Sequence, residues 1–124
     1  AQALAAYFKK QKAPIQVHIV QTSSCHPLAE PFEAYDGPDE ESTADAIVDK
    51  TAHRKEVLVP LIDSTDGRGW TVTNDEIAAA QELALTFTDL EISTNSALSV
   101  AGAMKAAAMG WEIDGAVVCM ICGE

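Results

Sequence analysis

Two cysteines stand in a C-x-x-C near the end of the chain, Cys119 and Cys122 within GAVVCMICGE, and a third, Cys25, directly precedes His26. Thiolates and imidazoles are the common ligands of structural zinc, and a C-x-x-C at a helix start is a common redox pair. Either use requires the sulfurs to converge. The stretch AVVCMIC is nearly continuous apolar sequence, the pattern of a parallel strand covered on both faces. Side chains three apart on a strand point to opposite sides, so one ion could not take both thiols. Cys119 is expected to be a small buried hydrophobe. Cys122 is expected at the carboxyl end of the strand, where open α/β sheets bind ligands. A zinc site would need Cys25 and His26 to join Cys119 and Cys122 across a broken final strand. The reading favoured by the spacing has no metal.

The remaining chemistry-bearing side chains form no complete constellation. His18 alternates with Val20 on a strand pattern and reads as a core or sheet-edge histidine. His26 lies in a turn, and His53 lies in a charged segment open to water. Asp39, Glu40 and Glu41 lack the spacing of a calcium-binding loop. No G-x-S-x-G, phosphate-binding P-loop or H-E-x-x-H is present. No catalytic residue is assigned.

The elements that must position these groups follow from hydrophobic periodicity. Leu4 and Phe8 lie one turn apart in AQALAAYFKKQK, which predicts an amphipathic helix stopping near Pro14. IQVHIVQT reads as a strand, and SSCHPLAEPFEAYDGP as turns around a short helix starting near Pro27. Residues 40–50 allow a helix with Ala44, Ile47 and Val48 inward. Residues 54–64 allow another, interrupted or kinked at Pro60. WTVT is a short strand. Asn74 is the expected N-cap of a helix carrying Ile77, Ala80, Ala84 and Phe87 on one face. DLEIS reads as a brief strand, TNSALSVAGAMKAAAMG as a small-residue helix ending at Gly110, and AVVCMIC as the last strand. Alternating strands and helices predict an α/β fold, with a mostly parallel sheet flanked by helices in three layers.

A chain of 124 residues fits a single domain over 1–124 with a modest core. No apolar run approaches the ~20 residues that span a bilayer, and the start of the chain is not a signal peptide. It also lacks an initiator methionine, as expected of a processed or excised piece. The net charge of −11 argues against nucleic acid and anionic membranes, because binding phosphates needs clustered Lys and Arg. Three cysteines are an odd number for a secreted disulfide scaffold, so a cytoplasmic protein with reduced thiols is expected.

Three stretches in order, VTNDEIAAAQELA, NSALSVAGAMKAA and GAVVCMICGE, together resemble the C-terminal part of fold-type-II pyridoxal-phosphate enzymes, threonine synthase most closely. Such chains carry a VSDEEI helix start, then SAASVAGL, then VVCVLTG. LAAYFKK followed by VHIVQTSSCHPLAEPF is similar to the segment just behind the family's glycine-rich phosphate loop, and STADAIVDK is similar to its TIATAI stretch. The resemblance spans essentially all of the chain. It implies pyridoxal phosphate in the intact parent and an amino-acid substrate undergoing β- or γ-elimination or replacement. It also implies the remainder of the enzyme chain as partner, with a homodimer among the assemblies to test.

The resemblance places Cys122, followed by Gly123, where the family sets a Ser or Thr against the pyridine nitrogen. A thiol there is a weaker hydrogen-bonding partner than a hydroxyl. It places Ser93, Thr94, Asn95 and Ser96 along the substrate. At Ser93 and Thr94 the family often has Glu-Pro or Ser-Ser, and ISTNSA leans toward the ISSGAA of the sulfhydrylases. The cofactor lysine and the phosphate loop would precede Ala1. Lys9, Lys10, Lys12, Lys50, Lys55 and Lys105 match no cofactor position, so the chain alone is expected to be inactive and free of cofactor. The competing expectation is a stand-alone, non-catalytic α/β module that binds a small molecule or regulates.

Overall fold

The computed structural model describes residues 2–122, the side chain of Ile47 excepted. Helix α1 (Gln2–Lys10) leads to strand β1 (Ile19–Thr22), then helix α2 (Lys55–Ser64), strand β2 (Gly69–Val72), helix α3 (Asn74–Thr88) and helix α4 (Thr94–Ala108). The strands pair in parallel, Ile19 opposite Gly69 through Thr22 opposite Val72. The result is a small α/β fold with a two-stranded parallel sheet and four α-helices among the described residues.

Strand alternation puts Val20, Thr22, Trp70 and Val72 on one face. α4 packs on that face, and Val72, Ile77, Ala80, Ala97, Leu98 and Ala101 form the core with Val20 against it. Each large apolar side chain so buried contributes about 1.5–3 kcal/mol. Gly102 sets how closely α4 approaches: a Cβ there would lie 2.2 Å from Cγ2 of Val20. On the opposite face Gly69 serves the same purpose, since its Cβ would fall 2.6 Å from Cα of Ala29.

The outer edge of β2 is closed by side chains. Thr71 N–H donates to Oε2 of Glu33 at 2.8 Å, and Lys105 Nζ donates to the Thr71 carbonyl. The same Lys105 meets Oε1 of Glu33 at 2.9 Å, with side chains only 17% and 13% exposed. Thus an ion pair occupies the hydrogen-bonding positions that a further strand would use.

Several expectations need correction. β1 covers only the last four residues of IQVHIVQT, because its partner is four residues long and Val17 N–H turns instead to Oγ1 of Thr65 at 3.0 Å. The stretch after Pro27 forms turns, not a helix. Residues 40–50 hold just one 3₁₀ turn, Asp45–Ile47. Side chains there take the amides a helix would need: Thr43 N–H donates to Asn74 Oδ1, Ala44 N–H to Ser42 Oγ, and Ala46 N–H to Asn95 Oδ1. Ala44 is buried as expected, Val48 is exposed, and the inward placement of Ile47 lies outside the described side chains. α2 runs on through Pro60.

The N-cap of α3 is Thr73, in a reciprocal capping box with Glu76, and Asn74 is the first helical residue. Phe87 is 77% exposed rather than buried. DLEIS forms no strand; α3 ends at Asp89 with φ 59°, and Gln81 Nε2 takes the Ile92 carbonyl at 2.8 Å.

The largest departure is at AVVCMIC. Residues 116–122 form neither helix nor strand and belong to no sheet, and Val118 is 80% exposed. Among the described residues no strand is paired with it, so its carbonyls accept from hydroxyls of α4 instead.

Candidate functional site at the start of α4

Both long helices begin at the carboxyl end of the sheet, tied there by one strip of chain. Asn74, next after β2 and its cap, accepts from Thr43 N–H at 2.9 Å and donates to the Glu41 carbonyl at 2.9 Å. Thr94 Oγ1 donates to the Thr43 carbonyl at 2.9 Å, and Asn95 Oδ1 accepts from Ala46 N–H at 3.3 Å. Residues 43–46 therefore bridge the N-termini of α3 and α4. Helix N-termini carry unpaired N–H groups and partial positive charge.

At the start of α4, Ser93 is the N-cap, and its Oγ accepts from Ser96 N–H at 3.2 Å. Ser96 is buried, and its hydroxyl donates to the Cys122 carbonyl at 3.4 Å. One turn on, Ser99 Oγ donates to the Met120 carbonyl at 3.0 Å. These bonds lay the C-terminal segment against α4 and bring Cys122 to the first turn of that helix. Of the residues expected at a site, the fold thus joins Ser93, Ser96 and Cys122. Thr94 and Asn95 are beside them, with Thr94 Oγ1 and Asn95 Oδ1 holding the 43–46 strip. Gly123 lies outside the described residues.

The two thiols of the C-x-x-C have different surroundings. Cys119 is half-buried, and its S–H donates to the Ser99 carbonyl at 3.6 Å; burial pushes this thiol pKa up. Cys122 is exposed. Cys25 is buried beside β1 and donates to the Asp49 carbonyl at 3.0 Å. Its pKa is raised, first by burial and then by the Asp49 carboxylate, with Lys50 opposing. His26 Nδ1–H donates to the Thr22 carbonyl at 3.2 Å, and its ring meets Tyr35 edge-on. Among the described residues no three His, Cys, Asp or Glu side chains gather as a metal site needs. Glu40, from the acidic run, accepts from Asn74 N–H at 3.0 Å and Ser23 Oγ at 3.4 Å, so it is a structural group. His53 is exposed.

A family profile described as pyridoxal-phosphate dependent enzyme matches residues 1–123. The chain belongs to the pyridoxal-phosphate dependent enzymes. No curated protein matches it. For a member of this family, the groups at the start of α4 suit the cofactor's chemistry. Hydroxyls, a thiol and helix N–H groups are neutral donors and acceptors, and the first turn of α4 has no acidic residue. Such a set can hold a ring nitrogen by a hydrogen bond without supplying the carboxylate that would keep it protonated. No helix among the described residues is long and apolar enough to cross a membrane.

Two features were invisible to spacing. Glu33 and Lys105 are 72 positions apart (105 − 33) and meet only because α4 crosses the edge of β2. His18, Trp70 and Trp111 likewise form one cluster from three distant stretches. No local sequence signal announces either.

Proposed function

We propose that residues 1–124 form one α/β unit from the C-terminal part of a fold-type-II, threonine synthase-like enzyme. The whole enzyme, a cytoplasmic protein to be tested as a homodimer, eliminates or replaces a β- or γ-substituent of an amino acid. The unit alone is inactive, because the lysine that bonds the cofactor and the loop that grips its phosphate belong to the rest of the chain. The positions of the lysines support this. Lys105 is committed to Glu33 and Thr71, Lys55 pairs with Glu30, and Lys9, Lys10, Lys12 and Lys50 are exposed.

The observation that carries the reading is the 3.4 Å contact between Ser96 Oγ and the Cys122 carbonyl. It unites at one helix start the two segments assigned to cofactor and substrate. Pyridoxal phosphate, when bound, supplies the electron sink that stabilises a carbanion at the substrate α-carbon. This chain's part is to position. Cys122, which Gly123 follows in the sequence, would face the ring nitrogen, its thiol a weak partner that would leave the nitrogen unprotonated. Ser96 fixes the backbone of Cys122 and, with Ser93, Thr94, Asn95 and the N–H groups of α4, would line the substrate. The rest of the enzyme chain is the obligatory partner.

The test is to express the complete gene product and compare its mass with 13.1 kDa. A larger product with a visible cofactor band abolished by borohydride trapping and releasing ammonia or phosphate from amino acids is expected. A product of this size with no visible band, binding a small molecule without turnover, would make it the stand-alone module instead.

A further inference from the structure

At the end of the molecule where β1 begins, three rings from three stretches of chain meet. Trp70 on β2 is 2% exposed, and its Nε1–H donates to Nδ1 of His18 at 3.1 Å. Trp111, three residues beyond α4, stands edge-on to both, with centroids 5.5 Å from His18 and 5.6 Å from Trp70. Gln16 joins them: its Oε1 accepts from Trp111 Nε1–H at 3.2 Å and lies 3.3 Å from Nε2 of His18.

This arrangement admits one protonation state. Nδ1 of His18 must be bare to accept from a donor-only indole, so the ring is neutral and its proton sits on Nε2, facing Gln16. A second proton would go on Nδ1 and point at the Trp70 N–H. Two donors would then face each other, and a buried indole N–H would lose its partner. The charged groups nearby are Arg68, whose guanidinium lies 5.1 Å from the Trp70 ring centroid, and Asp63, Asp66, Glu112 and Asp114, which line the adjoining cavity with Gln16 and Trp111. No hydrogen bond or ion pair among the described residues joins any of them to His18. His18 itself is exposed on one side, and partial cover by the neighbouring groups lowers its proton affinity from the ordinary 6.5.

We infer that His18 is a proton-sensitive latch: neutral, it holds Trp70 and Trp111 in one cluster and pins the start of segment 112–122, and protonated, it lets that segment loosen. The segment is the one that carries Cys119 and Cys122 along α4. The device does not depend on which reaction the family member performs.

The test uses the full chain and His18→Asn, whose Oδ1 stands where Nδ1 does but does not titrate. Tryptophan emission and amide exchange of residues 112–121 are compared between about pH 7.5 and about pH 5, the range in which a histidine titrates. Exchange in wild type should equal that in His18→Asn at the upper pH and exceed it roughly tenfold at the lower, the factor one lost buried hydrogen bond is worth. Emission should shift to the red with a midpoint below 6.5 in wild type, and should not shift in His18→Asn. With Trp111→Phe the shift should persist from Trp70 alone. Far-UV circular dichroism confirms that each variant is folded. If His18→Asn cannot fold, Gln16→Ala replaces it, and should keep the emission titration while exchanging faster at both pH values. Emission and exchange indifferent to pH in wild type, or an unchanged titration in His18→Asn, would overturn the latch.

Discussion

Lys105→Met is the most informative single change outside the site. It removes the cation that neutralises Glu33 and donates to the Thr71 carbonyl. With side chains 17% and 13% exposed, both charges are largely withdrawn from water. Removing one partner of a buried pair costs about 3–5 kcal/mol, and the residual exposure places this case near 3 kcal/mol. With a urea slope of ~1.5 kcal/mol/M, the midpoint of unfolding should fall by about 2 M. Replacing both charges by apolar groups is often neutral elsewhere. Here Glu33→Leu with Lys105→Met should not recover stability, because Thr71 would be left with an unpaired N–H and C=O on the edge of β2. The assay is urea unfolding of the four chains of a double-mutant cycle, followed by circular dichroism. A loss below about 1 kcal/mol in Lys105→Met, or a double variant as stable as wild type, would refute the view that this pair stands in for a strand.

Gly102→Ala should cost about 1–3 kcal/mol by pushing α4 from β1, and Val20→Ala should restore part of it, since the new Cβ meets Cγ2 of Val20 at 2.2 Å. Thr73→Ala, which opens the capping box of α3, should lower stability by about 1 kcal/mol in the same unfolding assay. Partial burial lowers the His18 pKa, so the folded chain binds fewer protons than the unfolded one as acid is added. Its contribution to stability is complete above 6.5 and is lost as pH falls through the lower native value. The urea midpoint of wild type should therefore drop relative to His18→Asn between about pH 7 and pH 5. In the complete enzyme, Cys122→Ser should slow dissociation of the cofactor on dialysis, because a hydroxyl is the better hydrogen-bonding partner; faster loss would count against the placement of Cys122.

Local chemistry was legible wherever neighbours along the chain decide the outcome. The first-turn acids and apolar repeat of α3, the small residues of α4 and the short strand at Gly69–Val72 all follow from short-range pattern. The ordered motifs also pointed to the pyridoxal-phosphate enzymes, a family the profile match shows independently. Thr73 took the cap from Asn74 because its spacing to Glu76 closes a reciprocal box, while Asn74 was recruited by Thr43 from 31 residues away.

What the residues 40–50 and 116–122 would do could not be read from periodicity. A helix needs its own amides free, and Asn74 and Asn95 had already claimed those of Thr43 and Ala46. A strand needs a neighbour, so AVVCMIC, apolar enough for any sheet core, lies unpaired beside α4. By itself the amino-acid order determined which segments could become helix or strand, and that the chain is acidic and rich in small residues. Tertiary structure alone decided that Ser96 meets Cys122, that Glu33 and Lys105 close β2, and that one imidazole nitrogen must stay bare for Trp70. The physical reason is range: periodicity reports contacts a few residues apart, whereas these bonds join positions 26, 72 and 52 residues distant.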